Sequence, residues 1–357
     1  MEATRRGHSQ AYIEKCLAYA KVLVRTGLPI IFDVAHLAAC IGVDEKTLRF
    51  VATNSLEMYF SFQIPKARGG MRQIDQPREP LSTIQNWILR NILDRSRPSP
   101  WATAFVRSRS IKNNAKLHVG KRNVLSLDIE NFFSSVRPEL VFRAFRQLGY
   151  ARDVSVMLTR LTVFREGLPQ GSSTSPSISN LVLKPFDVLV GRYCVRNRIS
   201  YTRYADDLTF SGDFHPGLVI AEVRKRLKFY ALRLNENKTR LMRRHQRQEV
   251  TGLVVNLKLS VPRAVRRRIR QEQHYIQRFG FESHESFKRT LHGNRLAHLR
   301  GLAEFVLSIN PEDRDANALV RSIGRWDASS ERSEPMRPTA PAEVPPILQT
   351  LRKKETQ

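Results

Sequence analysis

The chain has 357 residues, with 60 Lys and Arg against 33 Asp and Glu, a formal net charge of +27. That balance is the electrostatic footprint of a polyanionic partner, bound in a strongly salt-sensitive way. A membrane surface is the rival polyanion. No run of about 18 apolar residues is present to span a bilayer, and Met1-Glu2-Ala3-Thr4-Arg5-Arg6 lacks the apolar core of a signal peptide.

Taken in chain order, residues 8 to 58 read as helical, with Ile13, Cys16, Leu17, Ala20 and Val24 in one register. Within them, two short helical runs flank Gly42 like a helix-turn-helix, an arrangement that suits either DNA readout or ordinary packing. Residues 59 to 75 are strand-like around a basic turn from Lys66 to Arg72, and Leu81 to Leu93 is an amphipathic helix. Asn123 to Ile129 is an apolar run of strand length ending in Asp128. Pro138 suits a first helical position, with Leu140, Val141, Ala144, Phe145 and Leu148 following at helical spacing. A long helix is predicted after Pro176, burying Ile178, Leu181, Val182 and Leu189 and kinked at Pro185. Ile199 to Tyr204 and Leu208 to Phe210 are β-prone and read as a tight hairpin; a further helix spans Leu218 to Leu232.

From Val261 the character changes. Arg263, Arg266, Arg267, Arg268 and Arg270 crowd one helical stretch without an interleaved acid, and Arg295 and Arg300 follow on a later helix. Such a face suits a phosphate backbone, because like charges repel without an anion nearby. After Trp326 the composition turns to Ser, Glu, Pro and Arg, predicting a disordered or extended tail. The boundaries expected are 1–58 helical, 59–255 central, 256–325 basic helical and 326–357 tail. Cys16, Cys40 and Cys194 have neither metal-ligand spacing nor a disulfide pattern, which predicts a reduced, cytoplasmic protein.

The chemistry concentrates in acids. Asp206 and Asp207 sit at the tip of the predicted hairpin, where two adjacent anions repel unless a divalent cation neutralises them. Side chains alternate along a strand, so the two should point different ways. Asp128, delivered by a buried strand, completes a three-carboxylate set suited to two divalent ions in a phosphoryl transfer. Mg²⁺ fits such a site, with Mn²⁺ as an alternative.

These residues carry a resemblance. Ile64-Pro65-Lys66 with Gly69-Gly70-Met71-Arg72, Asp128 to Phe133, Leu168-Pro169-Gln170-Gly171 with Thr174-Ser175-Pro176, Tyr204-Ala205-Asp206-Asp207 and Asn235 to Thr239 resemble the ordered motifs of reverse transcriptases. Asn114-Ala115-Lys116-Leu117-His118 and Val250-Thr251-Gly252 resemble elements of the bacterial retron enzymes. The family usually has proline where Ser173 stands, which predicts a looser loop after Gln170.

The resemblance implies an α+β, right-hand polymerase fold: fingers, a palm of antiparallel sheet plus helices, and a helical thumb. It implies a reverse transcriptase that copies part of a cognate non-coding RNA into single-stranded DNA from deoxynucleoside triphosphates. Priming would come from the 2′-OH of an internal guanosine, giving a branched product, in a system with a separate effector protein and a role in antiphage defence. Asp128, Asp206, Asp207 and the Ile129 carbonyl would hold the ions. Lys66 and Arg72 would hold the triphosphate, Gln170 would touch the nucleotide, and Lys238 would protonate pyrophosphate. Phe133 resembles the steric gate, with Phe132 the choice if the register is off by one. Asn114, His118, Val250, Thr251 and Gly252, with Arg263, Arg266, Arg267 and Arg270, would bind RNA. Two other readings stay open: another reverse transcriptase class, intron-encoded or diversity-generating, and a non-catalytic RNA-binding scaffold.

Overall fold

The computed structural model describes residues 9–66, 69–287 and 295–330, and divides into two compact units, residues 1–260 and 261–357. The predicted tail from residue 331 onward lies outside the described residues, whereas 326–330 belong to a helix.

The first unit begins with three helices, α1 (Gln10–Arg25), α2 (Val34–Ile41) and α3 (Glu45–Thr53). Each opens on a side chain that accepts a bond from an orphan amide: Ser9, Asp33 and Asp44. Gly42 ends α2 at φ +87°, a left-handed cap that suits glycine. Leu23, Leu37, Leu48 and Val51 are buried in the same core as the central sheet and helices. The α2–α3 pair is therefore part of the body rather than a free-standing reading head.

A hairpin follows, β1 (Tyr59–Pro65) and β2 (Met71–Pro77), with Ile64 opposite Arg72. Next come α4 (Leu81–Ile88), which runs into a π-turn at Leu89–Leu93, and the short α5 (Ile111–Lys116). The central sheet is wholly antiparallel, in the order β4 (Ser200–Tyr204), β5 (Asp207–Gly212), β3 (Asn123–Asp128), β6 (Arg240–Arg243). In β3, Val124, Leu125 and Leu127 are all buried, since the strand is paired on both edges and covered on both faces.

Between β3 and β4 lie α6 (Phe132–Ser135), α7 (Pro138–Gln147), α8 (Arg152–Thr162), α9 (Ser175–Val182) and α10 (Lys184–Arg196). α7 starts at Pro138, as the sequence predicts. The single helix expected after Pro176 is instead two, divided at Leu183. Pro185 has no amide to return to the preceding turn and its ring crowds that turn's carbonyl, so the chain restarts rather than kinks. The restart changes the helical phase. Asp187, Val190, Gly191 and Cys194 face inward, while Leu189, expected in the core, is 40% exposed. Gly191 has to be glycine here, because a Cβ would stand 2.2 Å from the Trp101 ring.

α11 (Pro216–Lys228) and a 3₁₀ turn at Glu236–Lys238 lead into β6, and the small β7 (Glu249–Val250) and β8 (Leu253–Val254) pair with each other. The second unit is three helices, α12 (Arg263–Phe287), α13 (Arg295–Ile309) and α14 (Arg314–Ser330), packed through Ile269, Ile276, Leu299, Val306, Leu319 and Ile323. Among the described residues no helix is long and apolar enough to cross a membrane.

Candidate active site

The acids meet where β3 ends and β5 begins, because Asp128 and Asp207 are directly opposed in the antiparallel register. Tyr204 pairs with Asp207, so Ala205 and Asp206 are the two residues of the β4–β5 turn. Ala205 has φ +58° at the first central position, the mark of a type II′ hairpin turn, whose twist matches the flanking strands. The Asp206 carbonyl accepts the Ile129 amide at 3.0 Å, tying the turn to the end of β3. Neighbouring ladder bonds run through the Asp128 carbonyl and the Glu130 amide, leaving the Ile129 carbonyl outside the ladder.

The two adjacent carboxylates sit differently, as strand alternation predicts. Asp207 lies back along β3, where the Ser126 hydroxyl donates to it at 3.0 Å. Burial pushes its pKa up to about 6; the Ser126 bond opposes the rise, and Asp206 and Asp128 add to it. Burial also raises the pKa of Asp206, with the Asp128 charge adding and Lys238 and Arg72 opposing. Ionised carboxylates in so crowded a place need a cation.

One cation is already there. The Lys238 ammonium donates to both Asp128 oxygens at 3.0 Å, although the two residues are 110 apart in sequence. Arg72 acts on Asp206 from the exposed end of β2. Lys66, also exposed, stands at the end of the same hairpin, its amide donating to the Gly70 carbonyl. Among the described residues no three carboxylate, imidazole or thiol groups enclose a ready-made metal cage. The three acids are still hard oxygen donors, and they fit a Mg²⁺-type ion that completes its shell with water and substrate phosphate. Lys238 pairs with Asp128, and Ser126 engages one side of Asp207.

Gln170 is set against the β1–β2 hairpin. Its carbonyl accepts the Asp75 amide at 2.8 Å, and Gly171, at φ +139°, has no room for a Cβ, which would meet the Asp75 carbonyl oxygen at 2.8 Å. The loop that follows is not loose, contrary to the expectation from Ser173. Ser172 donates to Gln85 at 2.7 Å and lies 2.9 Å from the Thr174 hydroxyl, and Ser175 donates to the Pro169 carbonyl at 2.7 Å. Hydroxyl bonds do the bracing that a proline ring would do. Phe132 is buried in the core, whereas Phe133 is half-buried, 5.3 Å from Phe132 and 6.4 Å from the exposed Phe105.

Two polar elements expected on an RNA-facing surface are inside the protein. Asn114 is fully buried, accepting from the Thr103 hydroxyl at 2.9 Å and donating to the Thr251 hydroxyl at 3.3 Å. His118 is fully buried between Ser211 Oγ at 2.7 Å from Nδ1 and Thr202 Oγ1 at 2.8 Å from Nε2. Burial, and to a lesser degree Lys121, hold its pKa down at about 3, so the ring is neutral. A short polar motif reads as surface in a sequence, but here its hydrogen-bonding capacity is spent on the back of the hairpin that carries the acids. Val250 is buried too, while Thr251 and Gly252 make a left-handed turn at φ +46° and +81°.

The basic helix α12 is also less bare than expected. Arg266 lies 3.5 Å from Asp313, just before α14, and Arg270 3.1 Å from Asp315 in its first turn, while Arg263 and Arg267 are exposed. Sequence reasoning missed a buried ion pair altogether. Arg203 and Asp187 are wholly inaccessible and joined by two bonds of 2.8 and 2.7 Å, with the Tyr201 hydroxyl donating to Asp187 at 2.9 Å. Burial works against the Arg203 charge and Asp187 outweighs it, leaving its pKa raised. An arginine inside the β-prone run Ser200–Tyr204 was the signal.

Comparison with known proteins agrees with this geometry. Residues 64–266 match the family described as reverse transcriptase (RNA-dependent DNA polymerase). The chain is 32% identical to the retron Ec86 reverse transcriptase of Escherichia coli, over 80% of this chain and 87% of that protein. It is 34% identical to the retron Mx65 reverse transcriptase of Myxococcus xanthus, over 84% of this chain and 73% of the relative. With the retron Ec83 reverse transcriptase of Escherichia coli it shares 32% identity, over 75% and 90%.

Proposed function

The chain belongs to the reverse transcriptase family and is an RNA-directed DNA polymerase of the retron group; from that premise we propose how its residues act and what it makes. The observation that carries the reading is the pairing of Asp128 with Asp207 across β3 and β5, with Asp206 on the adjoining tight turn.

Asp128 and Asp206 would hold two divalent ions, Mg²⁺ by preference, with Asp207 assisting and the Ile129 carbonyl as a further oxygen donor. When bound there, such ions would supply activation of the priming hydroxyl and charge neutralisation at the leaving oxygen. The hydroxyl gives its proton to water and attacks the α-phosphorus of a deoxynucleoside triphosphate; one new phosphodiester bond forms, the bond from the α-phosphorus to the bridging oxygen breaks, and pyrophosphate leaves. Lys66 and Arg72, on the β1–β2 hairpin, hold the triphosphate, Lys as a point charge and Arg as a planar fork. Gln170 touches the nucleotide from the pinned loop. Lys238 leaves Asp128 and gives a proton to the departing pyrophosphate.

Phe133 is the gate against a ribose 2′-OH, since its ring is partly open while that of Phe132 is committed to the core. In domain terms, residues 59–255 are fingers and palm, 256–325 the thumb, and 1–58 a helical addition that shares the core. Exposed Arg263 and Arg267, with the acid-paired Arg266 and Arg270, face a nucleic-acid backbone. Thr251 and Gly252 meet the cognate RNA, with Val250, Asn114 and His118 supporting them from within.

The template is part of a structured non-coding RNA, synthesis starts from the 2′-OH of an internal guanosine, and the product is branched RNA-linked single-stranded DNA. A separate effector protein and an antiphage role in the cytoplasm complete the proposal. The test is to isolate the protein from cells and treat its bound nucleic acid with RNase and with a 2′–5′ debranching enzyme. A discrete single-stranded DNA whose mobility shifts on debranching is the expected result. Bound RNA with no DNA would refute the priming scheme.

A further inference from the structure

The catalytic turn carries a strained residue. Ala205 sits at φ +58°, a left-handed conformation that side-chain-bearing residues rarely adopt, and where glycine is the usual occupant. Such a conformation persists only when its surroundings over-determine it. Two tethers do so here, one on each central carbonyl of the turn. Ile129 donates to the Asp206 carbonyl at 3.0 Å, and Arg203 Nη1 donates to the Ala205 carbonyl at 3.1 Å.

Arg203 is itself fixed on every side. Its Nε and Nη2 donate to the two Asp187 oxygens, and Nη1 also donates to Asn180 Oδ1 at 3.0 Å. Asn180 in turn donates to the Ala104 carbonyl at 2.8 Å. The Arg203 backbone is held as well: its amide donates to the Trp101 carbonyl and its carbonyl accepts the Thr103 amide, each at 2.8 Å. A buried ion pair is seldom the most stable filling for a core; well-packed apolar residues of like volume often do as well or better. What an apolar filling cannot supply is a donor aimed at the turn.

We propose that Arg203 is a positioning residue for catalysis: its guanidinium, locked by Asp187 and Asn180, holds the Ala205 carbonyl so that the strained turn presents Asp206 beside Asp128. The inference rests on the reading of Asp206 as a metal ligand. Arginine is required for its geometry, since one rigid fork serves Asp187, Asn180 and Ala205 together, whereas the compact ammonium of lysine keeps the charge and loses the fork.

The test compares the full-length wild type with Arg203→Lys, Arg203→Lys/Ala205→Gly, Asn180→Ala and Asp206→Asn. Two readouts are taken: Mn²⁺ binding, from loss of the free-ion paramagnetic resonance signal, and kcat and KM for the deoxynucleotide. Arg203→Lys is expected to weaken Mn²⁺ binding about tenfold and lower kcat by at least as much, with KM within about twofold, since a transition-state alignment is lost and ground-state nucleotide binding is not. Ala205→Gly in that background should recover most of both losses, because glycine holds the turn without the clamp. Asn180→Ala should give a smaller loss in the same direction, and it carries the test if Arg203→Lys does not fold. Wild-type Mn²⁺ binding and turnover in a folded Arg203→Lys or Asn180→Ala variant overturns the proposal. So does an Arg203→Lys defect that Ala205→Gly leaves intact, which would make the pair a core element only. Asp206→Asn separates the premises: undiminished Mn²⁺ binding there refutes the metal-ligand reading, whatever Arg203 does.

Discussion

Replacing Asp207 with asparagine should stabilise the metal-free protein, against the general tendency of substitutions to destabilise. The wild-type carboxyl is pushed from its ordinary 3.8 up to about 6, chiefly by burial. The unfolded chain releases this proton near 3.8 and the folded chain only near 6, so between those values folding becomes less favourable as pH rises. Above pH 6 the full penalty is present, about 3 kcal/mol at about 1.4 kcal/mol for each tenfold change in proton affinity. Asparagine carries no charge and can still accept the Ser126 hydroxyl, so it keeps the bond and sheds the penalty. At pH 7.5 in chelator the variant should therefore melt about 6 °C higher, at about 2 °C per kcal/mol for a unit of residues 1–260. Near pH 3.5, where both forms are protonated, the two should coincide. Excess Mg²⁺ should narrow the gap at pH 7.5, because an ion that the folded wild type binds more tightly than the variant offsets part of the same penalty by mass action. Differential scanning calorimetry across this grid gives the answer. An asparagine variant no more stable than wild type at pH 7.5 in chelator would refute the electrostatic reasoning.

The buried neutral His118 predicts the opposite slope: its stabilising effect is complete above about pH 6.5 and declines as pH falls toward 3. Denaturant unfolding at pH 5 should show about 2 kcal/mol less stability from this group than at pH 7.5, a difference that His118→Gln should flatten. Phe133→Val should admit ribonucleotides with little change in stability, while Phe132→Val should destabilise by about 1–3 kcal/mol as a core truncation. Incorporation of ribonucleotides by the Phe132 variant alone would move the gate by one residue. RNA binding should weaken steeply with salt, and neutralising the exposed Arg263 or Arg267 should each reduce the slope by about one. A smaller change is expected for Arg266 and Arg270, which already face Asp313 and Asp315.

Much of the site was legible because its signals are local. A β-prone run, two acids and another β-prone run make a hairpin with the acids at its tip, and an apolar run ending in Asp128 makes the strand beside it. What resisted reading depends on partners remote in sequence. Lys238 meets Asp128 across 110 positions, and Thr103 meets the Arg203 carbonyl across 100. No periodicity announces either contact. Asn114 and His118 misled for the opposite reason: polar side chains suggest solvent, and only the fold reveals that Thr103, Thr251, Ser211 and Thr202 satisfy them in the interior. The break before α10 was visible in Pro185, but which face the restarted helix turns inward depends on where it restarts, and that placed Leu189 outside.

The most direct test of the central claim is single-turnover extension of a primer on an RNA template with Mg²⁺, comparing wild type with Asp128→Asn and Asp206→Asn. If these two carboxylates hold the ions, each variant should still bind primer–template yet extend it about a thousandfold or more slowly, the rate equivalent of several kcal/mol of lost metal stabilisation. Extension by either variant at close to the wild-type rate would contradict the account.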